Sequence, residues 1–153
     1  MILPSLILLV SGAGLANALY FTFAYYGRVR GARWIPEALC AREGSSCVTV
    51  LQTPYARVFG VPNSLLGILY YLMLIAWSAL QWSPAMDIYF HVTYFVLSLL
   101  HILILASAAT VVLGFYLIYS LNYKLHTHCP LCYAGHAINA TLLVLLILTG
   151  FGK

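Results

Sequence analysis

Charge is what this sequence has least of. Three acidic residues and seven Lys/Arg occur in 153 positions, so 7% of the chain is charged while 63% is apolar. Soluble domains average about 25% charged residues, so this chain is not built to be surrounded by water. The net charge of +4 is too thinly spread for the clustered basic face that a nucleic-acid binder needs. The opening "MILPSLILLV" lacks a positively charged start, and no small-residue cleavage site follows it. It reads as a membrane span and not as a removable signal peptide. The length suits a single domain, residues 1–153.

What the sequence has in quantity is long apolar runs. About 20 such residues cross the hydrocarbon core of a bilayer. Spans are expected at about 2–26, 64–82, 88–121 and 132–151, with Pro84 and Asp87 closing the second. The third run would extend roughly 50 Å as one straight helix. Gly114 is a weak turn signal, and an internal connection there would strand backbone groups in lipid, so the run reads as one span. The expected fold is an all-α integral membrane protein, a four-transmembrane-helix bundle. Its one sizeable polar loop, residues 27–63, bears two cysteines and ends in "TPYARVFGVP". With Tyr55, Val58 and Phe59 apolar and Arg57 polar, that stretch reads as a short interfacial helix capping the bundle.

Cys40 and Cys47 lie in the loop, and Cys129 and Cys132 form a Cys-x-x-Cys at the head of the fourth span. Four spans put both pairs on one side of the membrane, whereas five would separate them. Cys-x-x-Cys suits dithiol–disulfide cycling, because a thiol at a helix N-terminus is stabilised as the thiolate. Pro130, between the two, fixes φ and needs no backbone partner. Exchange between the pairs would proceed through a mixed disulfide. Zinc is a competing use of four cysteines, with His126 and His128 as spare ligands. The Cys-x6-Cys spacing is loose for a zinc knuckle, so no metal is assigned. A zinc- or disulfide-stabilised, non-catalytic membrane scaffold or adaptor stays open as the alternative.

The two pairs, the four spans and "FGVPNSLLGILYY" at the start of the second span together resemble the vitamin K epoxide reductase family in its microbial single-domain form. The resemblance implies a four-helix bundle around a quinone pocket, taking electrons from a thioredoxin-like partner and giving them to the quinone. By position, Cys40 resembles the outer shuttle cysteine, and Cys47 the companion that exchanges with Cys129. Cys132 resembles the cysteine beside the quinone ring. A transient Cys47–Cys129 bridge is the implied intermediate. Asn63 resembles the hydrogen-bond donor to a quinone carbonyl. His136 stands where the animal enzymes often have Tyr, which favours an ordinary respiratory quinone of ubiquinone or menaquinone type over an epoxide. No thioredoxin-like domain is fused, so a separate thioredoxin- or glutaredoxin-like protein is the expected partner.

The residues fit that reading on their own. A quinone is a flat apolar ring with two carbonyls, and it needs an apolar pocket with one or two placed donors. Asn63 and His136 are donors at the heads of spans; Leu66 and Tyr70 follow Asn63 at helical spacing, and Phe59 lies in the expected cap. His91 and His101 do not share a helix face, so they are read as helix–helix hydrogen-bonding groups and not as haem ligands. The sequon at Asn139 falls inside a span and is set aside.

Sidedness is less ordinary. Arg28, Arg30, Arg33, Arg42, Arg57 and Lys124 fall on the cysteine side, against Lys153 alone on the other. The positive-inside rule therefore expects the cysteines to face the cytoplasm. The usual bacterial arrangement of the family, with these cysteines extracytoplasmic, is the alternative. Disulfides are made inside the cells of hyperthermophiles, so a thermophilic archaeon or bacterium is the expected source.

Overall fold

In the computed structural model, four helices make up nearly all of the fold: α1 (Ile2–Tyr25), α2 (Asn63–Leu80), α3 (Phe90–Tyr119) and α4 (Pro130–Phe151). The structure describes residues 2–28, 50, 52–58, 60–82, 90–126 and 128–151, with 90–94 described by backbone alone. Among the described residues, four helices are long and apolar enough to cross a membrane. The chain is a multi-pass membrane protein. Lipid offers backbone groups no partner, so each spanning segment satisfies its own as a helix. The long third run is one helix. It passes through Gly114 unbroken and ends in a π-helical turn, Ser120–Lys124.

Helix ends follow local chemistry. After α1, Gly27 takes φ +68°. Its N–H donates to the Ala24 carbonyl, and the Arg28 N–H donates to the Phe23 carbonyl. This is the Schellman arrangement, and it needs a residue that tolerates the left-handed region. At α4, Pro130 is the first helical residue, where a missing N–H costs nothing.

α1 packs on both α2 and α4, and α4 packs on α3, while α2 touches α3 lightly. Hydrophobicity does not drive helices together in lipid, so close packing and hydrogen bonds must do so. A Cβ on Gly14 would overlap the Tyr71 ring, so α2 lays that ring on bare α1 backbone. Trp77 is fully buried, and its Nε1 donates to the Val96 carbonyl at 3.2 Å, joining α2 to α3. Leu9, Leu105, Val112 and Phe115 are each at least 68% exposed and form part of the lipid-facing surface.

The interior divides into two clusters. One centres on Ile7, Leu74, Trp77, Leu100, Leu142 and Leu146. The other, at the cysteine end, gathers Phe21, Val50, Leu121 and Cys129.

Among the described residues of "TPYARVFGVP", only Pro54–Ala56 are helical, as a 3-10 turn. Beyond it come two short antiparallel strands, β1 (Arg57–Val58) and β2 (Val61–Pro62), with Arg57 opposite Pro62. Gly60 takes φ +81° between them, a conformation that a helix does not use.

Candidate functional site

The first turn of α4 begins inside the Cys-x-x-Cys motif and not after it. Cys129 directly precedes Pro130, and its Sγ accepts a hydrogen bond from the Cys132 N–H at 3.3 Å. It thus occupies the place of a capping side chain, at the end where helix N–H groups lack partners. Cys129 and Cys132 are joined as a disulfide with Cα atoms 5.2 Å apart, inside the usual range for such bridges. Their surroundings differ. Cys129 is fully buried in the cluster of Phe21, Val50 and Leu121, whereas Cys132 lines a cavity. Cys40, Cys47 and Phe59 lie outside the described residues.

That cavity, of about 220 Å³, borders both interior clusters, and all four helices contribute to its wall. Asn63, Leu66, Tyr70, Cys132 and His136, each expected from the sequence, all line it. Tyr55 and Ala56 of the 3-10 turn complete the wall at the cysteine end. The segment is held to the bundle by two cations. Arg57 donates from Nη2 to the Tyr25 hydroxyl at 2.9 Å, and Lys124 Nζ lies 5.2 Å from the Tyr55 ring centre.

The wall is mainly apolar, and its polar groups divide into those with partners and those without. Ser107 donates to the Leu103 carbonyl, so the Tyr70 hydroxyl, 2.6 Å away, donates to Ser107. Tyr70 therefore has no hydroxyl proton to offer the cavity. Tyr71 is tied to Asn139. By contrast, Asn17 Oδ1, Ser64 Oγ and His136 Nδ1 are buried without a partner. A buried polar atom left in that state costs about 1–3 kcal/mol. Three of them around one cavity mark it as a place for a ligand with polar groups.

Asn63 is the first residue of α2, after Pro62, and no side-chain cap bond forms at that terminus. Capping thus does not account for it. His136 is packed against α3 at Gly114, where an added Cβ would stand 2.8 Å from its Nδ1. Gly114, an indecisive turn signal in the sequence, is the space into which the imidazole fits. His101, expected to bond between helices, instead pairs its Nδ1 with the Leu97 carbonyl of its own helix, at 2.8 Å. Asn17, Ser64 and Asn139 were not singled out as site residues. A polar amide within an apolar span was the available signal for Asn17.

A profile of the vitamin K epoxide reductase family matches residues 5–147, nearly the whole chain. The chain belongs to the vitamin K epoxide reductase family. Membership makes it a membrane thiol–disulfide oxidoreductase, of a family that acts generally with quinones. A comparison with curated proteins found no match. In this family member the disulfide at the head of α4 and the polar groups of the cavity meet at Cys132.

Proposed function

We propose that this vitamin K epoxide reductase homologue is a thiol:quinone oxidoreductase that generates disulfides de novo. One observation carries the reading: Cys132, Asn63 and His136 line a single apolar cavity. The unpartnered polar atoms there suit a flat ring with a polar group at each end. Asn63 binds one ring oxygen through its amide, and His136 binds the other and exchanges a proton with it. Leu66, Tyr70 and Phe59 hold the ring's faces.

Reduced Cys129 and Cys132 together surrender two electrons and two protons, forming their disulfide as the quinone becomes quinol. The Cys47 thiolate then attacks Cys129, freeing Cys132 as a thiol and leaving a Cys47–Cys129 bridge. Cys40 attacks Cys47, freeing Cys129 and forming a Cys40–Cys47 disulfide. That disulfide takes two electrons from the dithiol of a separate thioredoxin- or glutaredoxin-like protein as that protein becomes the disulfide. Val50 supports this route. It packs in the Cys129 cluster and is three residues from Cys47 in the sequence. The ring belongs to a ubiquinone- or menaquinone-type molecule dissolved in the bilayer. Leu66 and Leu113 line the cavity while remaining 38% and 39% exposed, which supports entry from lipid where α2 meets α3.

The deciding experiment is anaerobic quinone reduction by the purified protein, with a reduced thioredoxin-like donor, comparing wild type with Cys132→Ala. Loss of quinone reduction in the variant is expected. Equal rates in the two proteins would refute the proposal.

A further inference from the structure

The three unpartnered atoms beside the cavity are not chemically equivalent. A serine hydroxyl donates or accepts by rotating, and an imidazole does either according to its tautomer. Ser64 and His136 can therefore serve a carbonyl or a hydroxyl alike. Asn17 has no such freedom. Its Nδ2 donates to the Leu131 carbonyl at 3.3 Å, which fixes the amide so that the buried, unpartnered atom is Oδ1, an acceptor only. The fit is close. A Cβ on Gly135 would stand 2.8 Å from Nδ2, so the glycine lets the amide reach the α4 backbone.

Leu131 lies between the two cysteines of the motif, so one side chain touches the redox turn and borders the cavity. An oxidised quinone presents two carbonyl oxygens, which are acceptors, and offers Oδ1 nothing. A quinol presents two O–H donors. Resting on the quinone reading above, we infer that Asn17 is a specificity-determining residue that recognises the reduced ring, accepting a hydrogen bond from one hydroxyl of the quinol. It transfers neither electrons nor protons. It stabilises the product side of the exchange while holding the turn that carries Cys132.

The test is equilibrium binding of a short-chain benzoquinone and, separately, of its quinol. The full-length protein carries Cys132→Ala so that no electrons are exchanged, and its affinities are compared with and without Asn17→Leu. The inference expects quinol affinity to fall about tenfold, equivalent to ~1.4 kcal/mol, with quinone affinity changed by less than about twofold. Asn17→Ala, which adds no bulk, should give the same result if Asn17→Leu does not fold. If Asn17 serves only to hold Leu131, the two affinities will move together or not at all, and the inference is overturned. If the parent protein binds neither ring, the quinone reading itself fails and this inference falls with it.

Discussion

The Tyr71 hydroxyl donates to Asn139 Oδ1 at 2.7 Å, linking α2 to α4 beside the cavity. Both side chains sit within membrane spans, where a lost bond is replaced only by another protein group. Tyr71→Phe keeps the ring over Gly14 and removes only the bond. It should cost about 1 kcal/mol of stability in detergent-micelle unfolding. Tyr71→Phe with Asn139→Leu should show a coupling of ~0.6 kcal/mol in a double-mutant cycle. Strict additivity would mean the bond contributes nothing.

Gly114→Ala places a methyl 2.8 Å from His136 Nδ1, closer than the two can pack. The imidazole must shift within a cavity whose wall it forms, so quinone reduction should fall between about tenfold and a hundredfold, as for other misplaced catalytic groups. Gly12→Ala is the matched control, because a Cβ there meets nothing within 4 Å. Equal rates for the two variants would show that the position of His136 does not matter.

Arg57 and Lys124 fasten the 3-10 turn through Tyr25 and Tyr55. Removing both cations with Arg57→Ala and Lys124→Ala should speed amide exchange across 54–62 by about threefold to tenfold. The KM for quinone should rise, because Tyr55 and Ala56 form part of the cavity wall. Unchanged exchange would show that the turn is held by packing alone.

The four spans were legible because a lipid-facing helix is apolar over about 20 residues whatever it packs against. That Asn63, Leu66, Tyr70, Cys132 and His136 line one cavity was legible, because each lies near a motif or at helical spacing from one. The inner faces of α1 and α3 were not. A helix apolar on both its lipid and its packed sides has no amphipathic stripe, so nothing in the sequence turned Asn17 or Gly114 toward His136 and Cys132. Of the stretch read as a short interfacial helix, Pro54–Ala56 is helical; Tyr55, Val58 and Phe59 mimic a longer helical stripe, but Gly60 at φ +81° turns the chain into a short strand pair.

Sidedness is open to direct measurement. α4 runs away from the cysteine end, so residue 151 lies across the bundle from Arg28, Arg57 and Lys124. With the cysteines cytoplasmic, a C-terminal reporter active only in the cytoplasm should be silent. Activity of that reporter would restore the usual bacterial orientation.

The light contact between α2 and α3, with Leu66 and Leu113 at the cavity wall, also affects how rates should be expressed. A substrate arriving through that seam is drawn from a two-dimensional solution. The variable that saturates the enzyme is then its mole fraction among the lipids, and not its concentration in the surrounding buffer. Diluting vesicles with water should leave turnover unchanged, while diluting the quinone with further lipid should slow it.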